Sequence, residues 1–219
     1  MNFYSRYIVE FIIIAAGIIA GCYNYSKGYR YQGITIIILA FTLLAELSSF
    51  VAAIVWHNSI PVHHVASPFW ILLWAIFFYR YMQGEFLKKI MLVSAVLLIL
   101  TSIVNSLFIE SINDYPNIPY KAATIFRLIW SAVILVQLLD MPTNINLFKD
   151  PLFLIVLGGV WFNTISSLYF FFSSFMMKYK VYPPLVPNIH LVSNYLYYSI
   201  LFYAMLCLKN YANARKFSE

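Results

Sequence analysis

Charged side chains are rare inside the long apolar segments of this chain, and those that occur there are the first candidates for chemistry. Glu46 lies near the middle of one such segment, and Arg127 lies about two helical turns into another. Ionisable groups are costly in hydrocarbon, so they tend to pair with one another or to serve a site. The sequence therefore predicts a Glu46–Arg127 pair, which either locks two helices together or belongs to a binding site.

The histidines are candidates for a metal site. They are His57, His63, His64 and His190, and imidazole is a preferred ligand of zinc and other transition metals. His57 follows Glu46 by eleven residues, about three helical turns, which predicts that both lie on one face of a helix. We expect the first three histidines to lie in or beside one loop. Two interpretations stay open: a zinc site, or solvated residues at the membrane surface that could also sense pH.

Uncharged polar residues recur in the apolar segments at helical spacing. His190, Ser193, Asn194 and Tyr197 stand at i, i+3, i+4 and i+7, so they form one stripe of a helix. Small and hydroxyl residues commonly form contacts between membrane helices. Taken together, they also indicate a polar lining that could hold a small ligand. The residues expected to bind this ligand are Glu46, Ser49, Arg127, Asn163 and Asn194, and no catalytic residue is indicated.

The composition places these residues in a lipid bilayer. The chain of 219 residues is 63% hydrophobic and 10% charged, whereas a soluble domain carries about 25% charged residues. The mean hydropathy is +0.79, so the chain lacks the polar surface that a water-facing protein needs. The net charge of +6 does not indicate nucleic acid binding, because the basic residues are scattered at loop ends.

The elements that position the polar residues are transmembrane helices. A helix needs about 20 apolar residues to cross the hydrocarbon core, and seven segments meet this length. They cover residues 8–24, 33–56, 67–84, 88–109, 120–139, 151–176 and 188–208. Ser67-Pro68 and Asp150-Pro151 each place a capping residue before a proline, which predicts two helix starts. The predicted fold is all-α, a single seven-helix transmembrane domain over residues 1–219.

The distribution of basic residues predicts the orientation, because positively charged loops stay in the cytoplasm. With seven spans, nine basic residues fall on the side of the C-terminus and four on the side of the N-terminus. The first group is Lys27, Arg30, Arg80, Lys88, Lys89, Lys149, Lys209, Arg215 and Lys216; the second is Arg6, Lys121, Lys178 and Lys180. We therefore expect an N-terminus outside the cell and a cytoplasmic C-terminus.

Two pairs of short motifs indicate an internal repeat. Residues 46–50 and 164–168 both place two serines after an aliphatic residue, and residues 64–69 and 190–195 both begin with histidine and carry serine at the fourth position. The motifs follow in the same order on matching spans. This pattern predicts parallel repeats over residues 1–86 and 118–210, joined by a linker helix over residues 88–109.

The three-plus-one-plus-three layout resembles that of the SWEET sugar carriers and their PQ-loop relatives, although the chain contains no Pro-Gln pair. A seven-helix zinc hydrolase superfamily, that of alkaline ceramidases and adiponectin receptors, uses Ser-x-x-x-His, Asp and His-x-x-x-His. Ser59 and His63 have the first spacing, but the paired histidines are missing here. The seventh span carries no lysine, which excludes a retinal Schiff base of the microbial rhodopsin type.

The segment from Asn58 to Tyr81, with its His-x-x-Ser-Pro motif and the aromatic run that follows, is similar to small uncharacterised seven-helix membrane proteins of Bacteroidota-type bacteria. This resemblance implies a location in the bacterial inner membrane. It implies no activity.

Three functions fit the sequence. The first is a small-solute carrier that holds its ligand in the outer half of the helix bundle. The second is a receptor-like sensor or accessory subunit that works with a separate cytoplasmic signalling partner. The third is a membrane-embedded, metal-dependent lipid hydrolase built on the histidines and Glu46. Because the histidines lack standard ligand spacing, a non-enzymatic function is favoured over an enzymatic one.

Overall fold

The protein is a bundle of long helices. The computed structural model describes residues 3–25, 30–140, 146–179 and 185–215, and within these ranges there are seven α-helices. They are α1 (Phe3–Tyr25), α2 (Arg30–Val55), α3 (Ile60–Tyr81), α4 (Glu85–Val104), α5 (Asn117–Leu139), α6 (Pro151–Tyr179) and α7 (Leu185–Arg215). A π-helical turn, Asn105–Ile109, extends α4, and a short 3-10 helix, Leu147–Lys149, precedes α6.

Six of these helices can cross a membrane. In the described residues, α1 to α6 each contain a stretch that is long and apolar enough to span the hydrocarbon core. These helices indicate a membrane location and contact with lipid. A seventh crossing, by α7, stays a prediction, and so do the orientation of the termini and the internal repeat.

Each helix packs against the next one along the chain, and α7 closes on α1. Helix α3 also contacts α5 directly. Helix α4 lies outside this contact and has the smallest buried share among the six apolar helices. The amide Nδ2 of Asn24 in α1 donates to the carbonyl oxygen of Met205 in α7 at 2.9 Å. The result is a ring of six helices with α4 on its outside.

The half of the bundle that contains the C-terminal end of α3 has a closely packed core. Phe77, Phe78, Ile134, Leu201 and Met205 are almost completely buried there. The ring centroid of Trp74 lies 5.2 Å from that of Phe77 and 5.6 Å from that of Phe78. These large side chains fill much of the interior of this half of the bundle.

One of the two predicted helix starts is confirmed. Asp150 Oδ1 accepts hydrogen bonds from the backbone N–H groups of Leu152 at 2.8 Å and Phe153 at 3.4 Å, and α6 begins at Pro151. The other start is wrong, because α3 begins at Ile60 and contains Pro68 in its interior. Pro61 lies in the first turn of α3, where the missing N–H costs nothing.

The prediction that Glu46 and His57 share a helix face is also wrong. Helix α2 ends at Val55, and His57 lies in the following turn with a φ of 53°. This left-handed conformation ends the helical path. His57 is exposed, whereas His63 and His64 lie in the first turns of α3 and not in the loop.

Candidate binding site

A cavity of about 180 Å³ lies among the helices, in the half of the bundle where α2 ends and α3 begins. Five helices and the segment before α5 contribute to its wall. The polar lining residues are Thr42 and Glu46 of α2, His63 of α3, Arg127 of α5, Ser166 of α6, and His190 and Asn194 of α7. The cavity therefore collects polar side chains from helices that are far apart in the sequence.

Three of the five residues predicted to bind a ligand line this cavity, namely Glu46, Arg127 and Asn194. Ser49 and Asn163 are buried but do not belong to the lining. The amide of Asn163 is bound within its own helix, since Nδ2 donates to the carbonyl oxygen of Gly159 at 2.6 Å. These two residues are better placed to support the packing around the cavity than to contact its contents.

Glu46 and Arg127 line one cavity from different helices. Both belong to the described part of the chain, where no ion pair joins them, so the predicted direct pair is not formed. Arg127 Nε donates to the carbonyl oxygen of Ala123, one turn earlier in α5, at 3.3 Å. The carboxyl group of Glu46 and the guanidinium group of Arg127 thus line one cavity without forming an ion pair with each other.

Several polar atoms of this region lack a partner among the described residues. They include Asn194 Oδ1 and Ser166 Oγ, whose side chains line the cavity, and Ser49 Oγ and Ser193 Oγ beside it. A buried polar group without a hydrogen bond is destabilising, and most such groups in folded proteins have a partner. The cavity therefore offers hydrogen-bonding positions that a polar ligand or water could occupy.

Aromatic rings form most of the remaining wall. They are Trp70, Trp74, Tyr115, Tyr120, Phe162, Phe170, Tyr197 and Tyr198. Trp70 and Trp74 are four residues apart on α3, and Phe162 and Phe170 are eight apart on α6, so helical spacing aims each pair at the same side. The sequence did not reveal this lining, because a helix that is apolar on all sides does not show which of its rings face the interior.

The rings are fixed by contacts with one another and with polar groups. Trp70 Nε1 donates to Thr42 Oγ1 at 3.3 Å, and the rings of Phe162 and Tyr197 stack with centroids 4.5 Å apart. Tyr115 lies in the segment before α5, and burial raises the pKa of its hydroxyl above the ordinary value. This hydroxyl therefore stays neutral at physiological pH and can donate a hydrogen bond.

The four histidines are not all brought to one place. His63 and His190 line the cavity: His63 Nδ1 lies 3.0 Å from the Tyr120 hydroxyl, and the His190 ring stacks on Tyr169 with centroids 4.3 Å apart. His64 is buried and uses both ring nitrogens elsewhere, on Ser106 Oγ at 2.9 Å and on the carbonyl oxygen of Asp114 at 2.8 Å. In the described ranges, no group of three or more histidine, cysteine or acidic residues could hold a metal ion.

Glu10 is a further charged residue near the cavity that the sequence analysis did not select. It is only 5% exposed, it interacts electrostatically with Glu46, and its Oε1 has no partner among the described residues. Its neighbours on α1, Tyr7 and Phe11, pack against Phe50 of α2 with centroids 5.4 and 6.0 Å away. These contacts hold Glu10 at the level of Glu46.

Comparisons with protein-family models, with curated proteins and with solved structures found no match to this chain.

Proposed function

We propose that this protein binds a small polar solute in the cavity between Glu46 and Arg127 and carries it across a bacterial inner membrane. The observation that supports this proposal is the convergence of Glu46, Arg127, Ser166 and Asn194 from four helices on one cavity. In this proposal the N-terminus is outside, so the cavity belongs to the outer half of the protein.

Charge is the first argument for a bound solute. A carboxylate and a guanidinium inside a membrane are destabilising unless a partner compensates them. Within the described residues the two groups do not form an ion pair with each other. A polar solute in the cavity could contact both charges and also the unpartnered oxygens of Asn194 and Ser166.

The position of the cavity is the argument for transport. It occupies one half of the bundle, whereas Phe77 and Phe78 are almost completely buried in the packed core of the other half. In alternating access, the packed half opens while the cavity half closes around the same site. The proposed repeats over residues 1–86 and 118–210 would be the two units that move against each other.

A receptor is the second candidate function. The packed core in the half of the bundle without the cavity favours this function. A ligand that orders the cavity could shift the helices and pass this change to a separate cytoplasmic protein, without any passage through the bundle. A metal-dependent lipid hydrolase has less support, because His57 and His64 lie away from the cavity.

Transport assays with the purified protein separate these functions. A library of small polar solutes is first screened by thermal stabilisation of the protein in detergent. The solutes that bind are then tested for exchange across proteoliposomes. Exchange that is lost in Glu46→Gln but kept in Glu85→Gln, a control at an exposed position, supports the carrier. Binding without exchange would support the receptor, and the absence of any bound solute would overturn both.

A further inference from the structure

We infer that the solute is a small zwitterion, with an alkylammonium group held near Glu46 and a carboxylate held by Arg127. This inference rests on the proposed function, because it names the chemical class of the solute in the same cavity. The juxtaposition that carries it is one acid, one base and an aromatic wall around a single space.

The charges of the cavity select a zwitterion. A solute with one positive charge would compensate Glu46 and leave Arg127 without a partner, and a solute with one negative charge would do the reverse. A charge that is buried without a partner is strongly destabilising. Among the residues that line the cavity, Glu46 and Arg127 carry opposite charges, and a solute that carries both charges compensates both of them.

The acidic end of the cavity has the features of an ammonium site. Thr42 stands one helical turn before Glu46 on α2, and its hydroxyl oxygen accepts the hydrogen bond of Trp70 Nε1 at 3.3 Å. This bond fixes the Trp70 ring in the cavity wall. Alkylammonium groups bind to the faces of such rings by cation–π attraction, and a nearby carboxylate adds a direct charge interaction.

The basic end suits a carboxylate. Arg127 uses Nε on its own helix, which leaves the terminal nitrogens of the guanidinium to form paired hydrogen bonds with the two oxygens of a carboxylate. Four tyrosines line the cavity together with Arg127: Tyr115, Tyr120, Tyr197 and Tyr198. Their hydroxyl groups can donate further hydrogen bonds to the same carboxylate.

The volume limits the solute to a small molecule. The cavity of about 180 Å³ is close to the roughly 150 Å³ of an engineered protein cavity that holds benzene. A solute not much larger than one aromatic ring fits this space.

Calorimetric titration of the full-length protein in detergent tests the inference with probes of similar size. Glycine betaine and alanine are zwitterions with a quaternary and a primary ammonium group. Choline keeps the positive charge without a carboxylate, and 3,3-dimethylbutyrate keeps the carboxylate but replaces the charged nitrogen with carbon. We expect at least one zwitterion to bind ten times more tightly than both singly charged probes.

Two variants test which end of the cavity binds each charge of the solute. Arg127→Gln is expected to lose the preference for glycine betaine over choline, and Glu46→Gln is expected to lose its preference over 3,3-dimethylbutyrate. Arg80→Gln and Glu85→Gln remove the same charges at exposed positions and should keep both preferences. A variant that merely misfolds would weaken all probes equally, whereas the inference requires a change in selectivity.

Equal binding of a singly charged probe and the zwitterions would overturn the inference, and so would binding of none of the four. If the solute library then yields a different class of compound that depends on Glu46, the inference fails while the proposed binding function stands. If the library also yields nothing, both fail.

Discussion

Glu46 of α2 and Arg127 of α5 line the same cavity, yet no ion pair joins them in the part of the chain that the structure describes. A direct pair would neutralise both groups and leave only a lock between two helices. Because the charges instead adjoin a cavity with an aromatic wall, a solute can take the place of the missing partner. This arrangement supports the proposed binding site.

The geometry of the guanidinium matters in addition to its charge. Lysine keeps the charge of Arg127 but cannot form two parallel hydrogen bonds with one carboxylate. We expect Arg127→Lys to weaken binding of the solute roughly tenfold, an effect of about 1.4 kcal/mol. Calorimetric titration measures this change, and wild-type affinity in Arg127→Lys would show that the site recognises only a positive charge.

Trp70 is expected to contribute to affinity through its ring. Trp70→Ala removes a cation–π contact worth about 0.5–2 kcal/mol, which corresponds to weaker binding by a factor of between about 2 and 30. Trp56 is exposed beyond the end of α2, so Trp56→Ala is the matched control. Unchanged affinity in Trp70→Ala would show that this ring does not contribute to the proposed ammonium site.

The cap of α6 should contribute measurably to stability. In Asp150→Ala, the N–H groups of Leu152 and Phe153 lose their side-chain acceptor, at a cost of about 1 kcal/mol. Asp150→Asn keeps an accepting oxygen and should be affected less. Unfolding in mixed detergent micelles measures the difference, and equal stability of the two variants would argue against the cap.

Substitutions of His64 and His57 are expected to differ in how much they destabilise the protein. His64→Ala removes the hydrogen bonds to Ser106 Oγ and the Asp114 carbonyl oxygen, so it should destabilise the protein by about 1–3 kcal/mol. His57→Ala, at an exposed turn, should change stability by less than about 0.5 kcal/mol. The same unfolding measurement compares them, and similar losses in both variants would contradict the separation.

Much of the architecture followed from local signals in the sequence. Apolar length alone identified the helices, and Asp150-Pro151 identified one start because its cap uses neighbouring backbone groups. Ser67-Pro68 carries the same signal, but no helix begins there. A proline is tolerated inside a membrane helix, and Pro61 already occupies the first turn of α3. The conformation of His57 depends on the turn that follows α2, which the helical pattern of α2 did not reveal.

The cavity was predicted in part. Glu46, Arg127 and Asn194 were identified because polar groups stand out in apolar helices. The aromatic lining was missed because the helices are apolar on all sides, so a ring that faces the interior looks the same in the sequence as one that faces lipid. Trp74 is buried, while Phe69 on the same helix is exposed, and only the packing of neighbouring helices separates them.

The most direct test of the account is calorimetric titration of Glu46→Gln beside Glu85→Gln. The ligand is the probe that binds the wild-type protein most tightly among glycine betaine, alanine, choline and 3,3-dimethylbutyrate. We expect Glu46→Gln to keep its fold, by thermal unfolding, and to lose binding by at least tenfold, while Glu85→Gln binds as the wild type does. Wild-type affinity in a folded Glu46→Gln protein would contradict the assignment of the cavity as the binding site.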